Sequence, residues 1–335
     1  MSPSNLFVKD LGEFQLIDLL SSTLGAEHDP KGSSHLMLTI GDDAAAWRGS
    51  DSTTVLTTDT MVEGVHFSLD WTAWETLGWK AMATNQSDVA AMGCMPMYAV
   101  VSLGLRGDLP VEGLEQMYRG MASACAANGG AIVGGDVVRS PTFFVTVAMT
   151  GSAEGEGRLL TRDAAKPGDI IAVTGNLGSS AGGLQTLRDG PVVDGEIAAH
   201  LRNAHIRPSP RVQEGSALRG LGVSAAIDIS DGLVDDLGKF CAASGVGADL
   251  RAYQVPVDYR LKRAFPDDWL SLALSGGEDY ELAFTASSET VTKAARKLDA
   301  TVTQIGQVRE GSGVRVLNAH GDEISVGRGG WDHFK

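Results

Sequence analysis

The stretch SAAIDISDGLVDDL, residues 224–237, decides the fold class of this chain. Its first residues form a short apolar run that is typical of a buried strand, and residues 232–244 have the pattern of a helix. Asp228 and Ser230 alternate along the extended part, so their side chains share one face. A strand, an acidic loop and a helix in direct succession predict a layered protein of mixed helices and strands.

The same succession extends outward towards both ends of the chain. Strands are predicted at 36–40, 54–58, 97–105, 131–134, 142–150, 169–174, 224–229, 282–285 and 302–308. Helices are predicted at 74–92, 112–127, 210–220, 232–244 and 289–298, and after the glycine-rich turn GNLGSSAGGL at 175–184. The mixed order in both halves predicts α/β or α+β layers. The segment GSAEGEGR at 151–158 favours a boundary between domains 1–150 and 151–335.

Composition indicates an ordinary globular protein. The chain has 335 residues, of which 43% are hydrophobic and 21% charged, enough for two domains with sizeable cores. No apolar run approaches the roughly 20 residues that a membrane helix needs, and the first residues, MSPSNLFVKDLGEF, lack a signal-peptide pattern. Cys94, Cys125 and Cys241 form no CxxC pair, so we expect reduced, buried thiols in a cytoplasmic protein.

The formal net charge of −15 restricts the partners of the protein. Such a charge repels nucleic acid and anionic membrane surfaces, so neither is expected to bind. An acidic protein still binds an anionic substrate if cations lie between them. The familiar nucleotide and hydrolase motifs, GxxxxGK(S/T), HRD with DFG, GxSxG and HExxH, do not occur in the sequence. Nucleotide chemistry would therefore need a different phosphate-binding structure.

Acidic residues recur where the predicted strands end. They are Asp42 and Asp43, Asp59 after Thr57 and Thr58, Asp136 after Gly134 and Gly135, and Asp228 and Asp231, while Asn85 and Asp88 share one face of the 74–92 helix. Two carboxylates about 4 Å apart repel each other by roughly 4 kcal/mol at an effective dielectric constant near 20. A cluster of them would therefore take up protons or bind divalent cations. Oxygen ligands without His or Cys suit Mg²⁺ or Mn²⁺.

Each of these residues also has a purely structural interpretation. An Asp at a strand end is often a helix N-cap or a turn former, and adjacent Asp42 and Asp43 could form a polar turn. Asp235 and Asp236, in the first turn of a predicted helix, favour an interaction with the helix dipole over metal binding. The glycines permit positive φ, and His66 could be an ordinary half-buried histidine. The combination of motifs carries more weight than any one of them.

Taken in order, the motifs resemble those of the thiamine-monophosphate kinases, a family within the aminoimidazole-ribonucleotide-synthetase-like superfamily. The ten segments are GEFQLI (12–17), IGDDAA (40–45), TTDTMVEGVHF (57–67), KAMATNQSDVAAMG (80–93), GGDVVR (134–139), LTRDAAKPGD (160–169), RPSPR (207–211), IDISDGLVDDL (227–237), SGGEDYEL (275–282) and GWDHF (330–334). A single piece such as GGD carries no information, whereas ten pieces in the family's order over nearly the whole chain are specific.

The resemblance implies a two-domain α/β protein whose N-terminal domain binds ATP and forms a homodimer. It implies the reaction of ATP with thiamine monophosphate to give ADP and thiamine diphosphate, with several magnesium ions. The magnesium ligands it implies are Asp43, Thr57, Thr58, Asp59, Asp88, Asp136, Asp228 and Asp231. The ATP contacts are Gly135, Asp136, Arg162 and Ser230, and the thiamine contacts are His66, Glu278 and Trp331. Asp59, Asp136 and Arg162 are expected to be catalytic.

These assignments agree with the chemistry of the side chains. Arg162 has a planar set of donors for phosphate oxygens. Glu278 could balance the positive charge of a thiazolium ring on which Trp331 stacks, although Trp331 could equally be a tail residue docked on the body. The mechanism expected is direct in-line phosphoryl transfer, in which magnesium and Arg162 neutralise two mutually repelling anions.

The sequence departs from the family pattern at three positions. Val137 replaces a common Thr, Gln86 replaces an apolar residue, and Trp331 replaces Phe or Tyr. Two alternatives to the kinase stay open. One is another ATP-using member of the superfamily, such as a selenophosphate or aminoimidazole ribonucleotide synthetase, although no Cys precedes Cys94 as the first would require. The other is a non-catalytic protein of the same fold that binds divalent cations.

Overall fold

The structure, a computed structural model, describes residues 6–11, 13–24, 36–38, 46–47, 52–153, 158–190 and 194–325. Two compact units are present. The first consists of Met1–Val89 with Met95–Gly155, and the second of Ala90–Cys94 with Glu156–Lys335. Asp42, Asp43 and Trp331 lie outside the described residues. Within the described ranges, the structure contains no helix whose length and hydropathy would let it cross a membrane.

The first unit is built on a four-stranded sheet that has helices on one face. Its elements are α1 (Glu13–Leu24), β1 (Leu36–Leu38), β2 (Ala46–Trp47), β3 (Thr53–Val62), α2 (Trp74–Ala91), β4 (Met95–Leu105), α3 (Val111–Asn128), β5 (Ala131–Arg139) and β6 (Phe144–Ala153). The strand order is β3-β6-β4-β5, and only the β4–β5 pair is parallel. β1 and β2 form a separate antiparallel pair.

Helices α2 and α3 pack at very short range because each has a glycine at their contact. A Cβ on Gly78 would lie 1.8 Å from the carbonyl oxygen of Met117, and a Cβ on Gly120 would lie 1.8 Å from that of Glu75. Any side chain at either position would separate the helices. The buried residues of α3 include Leu114, Met117, Tyr118, Met121 and Cys125, the set whose spacing predicts this helix.

Burial alternates along β3 and β6, as expected for a sheet covered on one face. The uncovered face of the isolated chain carries large apolar side chains. Leu56 is 74% exposed, Val138 45% and Val100 40%. Large apolar residues on three strands of one sheet form a surface that is costly to leave in water.

The second unit is built on a six-stranded sheet. Its elements are β7 (Ile170–Thr174), α4 (Ser179–Asp189), α5 (Gly195–Ile206), α6 (Val212–Gly220), β8 (Ala225–Asp228), α7 (Leu233–Ser244), β9 (Gly247–Arg251), α8 (Tyr259–Ala264), α9 (Trp269–Ser275), β10 (Leu282–Ala286), α10 (Ser288–Lys297), β11 (Val302–Arg309) and β12 (Gly313–Leu317). The strand order is β12-β9-β11-β7-β10-β8, and only β12 and β9 run parallel.

Both faces of this sheet are buried. Ile171 and Val173 of β7 belong to one apolar cluster with Phe240 of α7, whereas Ala172, between them, belongs to a second cluster with Leu218 of α6. Alternate residues of a strand point to opposite faces, so the continuous apolar runs of β7, β8 and β10 follow from this two-sided burial. The mixed α/β architecture predicted for both halves is confirmed.

Two predicted strand ends are wrong. β3 continues to Val62, so Thr57, Thr58 and Asp59 lie inside the strand, and β5 continues to Arg139, so Asp136 does too. The physical reason is that β-branched and apolar residues follow each acid and extend the pairing. The three cysteines are buried and unpaired, and burial raises the pKa of all three thiols.

Candidate functional site

In the first unit, β3 and α2 bring two of the predicted metal ligands into contact. The hydroxyl of Thr57 donates a hydrogen bond to Oδ2 of Asp88. Asp59 lies two residues along β3 from Thr57 and therefore projects from the same, more buried face. Thr58 projects from the opposite, exposed face, and its hydroxyl donates to the carbonyl of Val147 at 3.0 Å.

A buried amide lies one helical turn from Asp88. Asn85 is fully buried, and its Nδ2 donates to the carbonyl of Ala81 at 3.2 Å. Among the described residues, its Oδ1 has no hydrogen-bond partner. A buried acceptor without a donor is costly, and a cation or a water molecule would satisfy it. The side-chain oxygen atoms of Asn85, Thr57 and Asp88 are of the ligand type that magnesium prefers.

Gly135 and Asp136 lie on the strand at the opposite edge of the same sheet. They belong to β5, where they pair with Val101 and Ser102 of β4, and both are exposed. Because β6 and β4 separate β5 from β3, Asp136 is three interstrand spacings, about 14 Å, from the row of Asp59. The first unit therefore does not place Asp136 beside the Thr57–Asp88 pair. Throughout the described ranges, no three His, Cys, Asp or Glu side chains are grouped closely enough to hold a metal ion.

His66 lies in the turn that follows β3. Its Nδ1 accepts a hydrogen bond from the backbone N–H of Val62 at 3.0 Å, and the backbone N–H of His66 donates to the carbonyl of Val62 at 2.9 Å. An accepting Nδ1 means that a neutral ring carries its proton on Nε2. The turn therefore fixes both the position and the tautomer of this predicted substrate contact.

In the second unit, the loop after β8 is organised by a single carboxylate. Oδ2 of Asp236 accepts hydrogen bonds from the backbone N–H groups of Ser230, Asp231 and Gly232 at 2.9, 2.9 and 3.1 Å. Its Oδ1 lies 2.8 Å from Nζ of Lys239, which also contacts Asp231. Burial raises the pKa of Asp236, and Lys239 opposes that shift. Asp236 lies in the first turn of α7, where an interaction with the helix dipole is predicted, and it also accepts three hydrogen bonds that fix the preceding loop.

The SGGEDYEL segment pairs with this loop. The N–H of Glu278 donates to the carbonyl of Ser230 at 2.7 Å, and the N–H of Tyr280 donates to that of Ile229 at 2.9 Å. Glu278 and Tyr280 have φ values of 65° and 52°, a left-handed conformation that costs non-glycine residues about 1 kcal/mol or more each. Two predicted contacts, Ser230 for ATP and Glu278 for thiamine, thus become direct neighbours.

Asp279, between those two strained residues, caps helix α4. Its carboxyl group accepts from the N–H of Gly178 at 2.6 Å and from that of Ser180 at 3.3 Å. Burial of the carboxyl group raises its pKa to about 8, against the opposing effect of the two N–H donors. The glycine-rich turn GNLGSSAGGL therefore binds an internal carboxyl group.

Arg211 and Glu281 join two of the sequence motifs. Nε and Nη2 of Arg211 lie 2.6 and 2.5 Å from the two carboxylate oxygens of Glu281, and the hydroxyl of Thr174 donates to Oε2 at 2.6 Å. Glu281 is 6% exposed, so the pair is largely removed from water. The motifs RPSPR and SGGEDYEL thus anchor each other to the end of β7.

The remaining predicted contacts of the second unit lie around β8. Asp228 is its last residue and is 2% exposed. Arg162 is exposed, next to Thr161, which bridges to Ala225 of β8. The backbone carbonyl of Arg162 accepts a hydrogen bond from Ser244 at 2.7 Å, which fixes the residue against the end of α7.

Two family models match most of the chain. Residues 41–153 match the family model described as AIR synthase related protein, N-terminal domain, and residues 166–317 match the corresponding C-terminal domain. The thiamine-monophosphate kinase of Aquifex aeolicus (strain VF5) is 36% identical over 330 residues, covering 98% of this chain and 99% of the relative. The chain belongs to the thiamine-monophosphate kinase family. The family resemblance and the two-domain fold class expected from the sequence are thereby confirmed.

Solved structures of the family share the whole fold. The thiamine-monophosphate kinase from Stenotrophomonas maltophilia K279a is 35% identical, with a TM-score of 0.81 over 94% of this chain and 98% of that one. A structure of AaThiL complexed with AMPPCP and TMP is also 35% identical, with a TM-score of 0.77 over 98% of this chain and 99% of that one.

One departure from the kinase family pattern has a structural explanation. Gln86 is fully buried in α2, where Nε2 donates to the carbonyls of Ala124 and Gly129 at 3.2 and 3.0 Å. Its Oε1 accepts from Nδ2 of Asn128 at 3.0 Å. Gln86 therefore provides hydrogen-bond partners for groups at the carboxyl end of α3. An apolar residue could not do so, because it has no polar atom. Val137 lies in β5, and nothing in the structure explains its choice over Thr.

Proposed function

We propose that this protein transfers the terminal phosphoryl group of ATP directly to thiamine monophosphate, giving thiamine diphosphate and ADP. The observation that carries the proposal is identity of 35–36% over nearly full length to thiamine-monophosphate kinases, one of them complexed with AMPPCP and TMP. The pairing of the Ser230 loop with the Glu278 segment supports it, because contacts expected for the two substrates then adjoin each other.

The residues that would hold magnesium are Asp and Thr residues of the sequence motifs, which offer oxygen atoms as ligands. They are Asp43, Thr57, Thr58, Asp59, Asp88, Asp136, Asp228 and Asp231. The contact between Thr57 and Asp88, with the unsatisfied Oδ1 of buried Asn85 one turn away, supports this assignment in the first unit. Bound magnesium would supply positive charge that stabilises the transferring phosphoryl group.

The protein's own groups have two tasks in this reaction. Gly135, Arg162 and Ser230 bind the phosphates of ATP, with Arg162 offering parallel N–H donors to their oxygens. His66, Glu278 and Trp331 bind the thiamine moiety, and Glu278 balances its positive charge. The terminal phosphate of the acceptor is already ionised near neutral pH, so in-line attack needs no strong general base. No phosphorylated enzyme intermediate is formed.

The uncovered sheet face of the first unit supports a homodimer. Leu56, Val100 and Val138 expose apolar surface on three of the four strands, and a second copy of the same face would cover it symmetrically. We propose that the first unit provides both this pairing and most of the magnesium ligands. The acidic composition and the buried thiols support a cytoplasmic location without nucleic-acid or membrane partners.

Release of ADP, measured with a coupled assay in the presence and absence of thiamine monophosphate, tests the activity. Release that depends on thiamine monophosphate and on Mg²⁺ is expected. ADP release that occurs only with a different acceptor would instead indicate another member of the superfamily, and no release would indicate a non-catalytic cation-binding protein.

Asp59→Asn should lower turnover at least about a hundredfold without loss of fold, because it removes one carboxylate from the proposed metal site. Near-normal turnover of that variant would refute the metal assignment.

A further inference from the structure

A second-unit histidine that the motif comparison does not assign contacts the predicted thiamine-binding residue. His205 is near the end of α5 and is 5% exposed. Its Nδ1 lies 3.3 Å from Oε2 of Glu278 and 3.1 Å from the hydroxyl oxygen of Ser180. We propose that His205 is a positioning residue that holds the Glu278 carboxylate in the orientation that recognises the cationic part of the acceptor; this rests on the proposed kinase function.

The geometry assigns the tautomer of His205. A carboxylate has only acceptor atoms, so the nitrogen that faces Glu278 must carry the proton. The neutral ring with a proton on Nδ1 is sufficient, because that N–H donates to Glu278 and is shared with the Ser180 hydroxyl oxygen. A hydrogen bond to a carboxylate is about twice as strong as one between neutral groups, which suits it for fixing a side chain.

Hydrogen bonds fix the backbone of Glu278, so only the orientation of its side chain has still to be set. Its left-handed φ of 65° is held by the 2.7 Å hydrogen bond to Ser230, and Asp279 is bound to the start of α4. The side chain of Glu278 is 29% exposed, whereas that of His205 is 7% exposed. One carboxylate face thus remains accessible to a ligand while His205 contacts the carboxylate from the protein interior.

The packing of α4 against α5 makes this contact possible. A Cβ on Gly183 would lie 2.0 Å from the carbonyl oxygen of Leu201 and 3.0 Å from Cβ of His205. Glycine at this position therefore lets the two helices approach closely enough for Ser180 and His205 to share a hydrogen bond. The GNLGSSAGGL motif therefore has a second role, because besides donating N–H groups to Asp279 it allows the contact between Ser180 and His205.

The chemistry of amide side chains gives a specific test. In His205→Asn the amide nitrogen occupies the place of Nδ1, whereas in His205→Gln it occupies the place of Nε2. The KM for thiamine monophosphate should rise about tenfold in His205→Gln, the effect of losing one charge-assisted hydrogen bond. It should stay within about threefold of wild type in His205→Asn, and the KM for ATP should change less than about twofold in both.

Two further variants keep the test decisive. His200→Gln, on the exposed part of the same helix and paired with Asp258, is the matched control and should leave both KM values unchanged. Ser180→Ala keeps the backbone N–H that binds Asp279, and it should raise the KM for thiamine monophosphate two- to threefold, about the effect of one weak hydrogen bond. This small change decides the question if His205→Gln does not fold.

The outcomes separate the two proposals. A wild-type protein that forms no thiamine diphosphate would refute the kinase function itself. An active wild type whose His205→Gln and His205→Asn variants share one KM for thiamine monophosphate, or whose KM for ATP rises in parallel, would overturn the role of His205 alone. If His205→Gln cannot be purified folded, an unchanged KM in Ser180→Ala would overturn it.

Discussion

Asp236 and Lys239, one turn apart on α7, form an ion pair at 2.8 Å while the other oxygen of the same carboxylate holds three successive backbone N–H groups. The pair stabilises the loop that contains Ser230, proposed to bind ATP, and Asp231, proposed to bind magnesium. A buried carboxylate that carries this many donors is a structural requirement for the loop. Its role is to hold other residues in place rather than to contact a substrate.

Replacement of Asp236 tests this role. Asp236→Ala leaves three loop N–H groups without their acceptor and Lys239 with Asp231 alone, so the free energy of unfolding should fall by about 2–3 kcal/mol. The KM for ATP should rise as the loop loses its order. Urea unfolding and steady-state kinetics measure the two effects. Asp235→Ala, at the neighbouring position, is the control and should change stability by less than about 0.5 kcal/mol. Equal effects of the two variants would contradict the role of Asp236.

The hydrogen bond from Thr57 to Asp88 should govern magnesium affinity. Thr57→Val preserves the shape of the side chain but removes the hydroxyl that orients the Asp88 carboxylate. Magnesium binding should weaken by about 1 kcal/mol, and the half-saturating Mg²⁺ concentration should rise roughly fivefold. Turnover is measured against Mg²⁺ concentration at saturating substrates. Thr60→Val, on the exposed face of β3 where its hydroxyl meets Thr146, should have no effect. An unchanged Mg²⁺ dependence of Thr57→Val would remove Thr57 from the site.

The buried pair of Arg211 and Glu281 should contribute strongly to the stability of the second unit. Arg211→Met leaves the carboxylate buried without its partner and should lower the free energy of unfolding by about 3 kcal/mol. Adding Glu281→Gln removes the charge but keeps an acceptor for Thr174, so the double variant should regain more than half of the loss. Chemical denaturation of Arg211→Met, Glu281→Gln and the double variant measures the coupling. A double variant as unstable as the sum of the single ones would contradict it.

Asp279 should make stability fall as the pH rises. Its pKa is raised from 3.8 to about 8, so between these values the folded state retains a proton that the unfolded state loses. The contribution of Asp279 to the free energy of unfolding is therefore fully present below about pH 4. It declines towards pH 8 by up to roughly 1.4 kcal/mol per pH unit. Asp279→Asn should flatten this dependence in urea unfolding at pH 5, 6, 7 and 8. Parallel profiles for the variant and the wild type would show that another group is responsible.

Strong periodicity made most elements predictable from the sequence. Helix α3 is marked by apolar residues at helical spacing, and β7, β8 and β10 are continuous apolar runs because both faces of their sheet are buried. β9 and β12 were not predicted, since GADLR and GVRVL are short and partly charged. Their stability comes from burial of Ala248, Leu250 and Val316 in the core of the second unit, and Asp249 adds ion pairs with Arg309 and Arg315.

The sequence offers a candidate site as a set of motifs, but it does not give the distances between their residues. Thr57 and Asp88 were both expected to bind magnesium, and their contact joins a strand to a helix 31 residues away. The roles of Asp236 and His205 could not be read from the sequence. The first depends on backbone N–H groups, which every residue but proline has, and the second depends on a helix contact across 73 residues between His205 and Glu278.

The fate of the terminal phosphoryl group of ATP is the most direct test of direct transfer to thiamine monophosphate. ATP labelled with ³²P at the γ position is incubated with the protein, Mg²⁺ and thiamine monophosphate, and the products are separated by chromatography. The account predicts label in thiamine diphosphate, none bound to the protein, and no transfer when EDTA removes the metal. Label that accumulates on the protein, or ADP formed without labelled thiamine diphosphate, would contradict it.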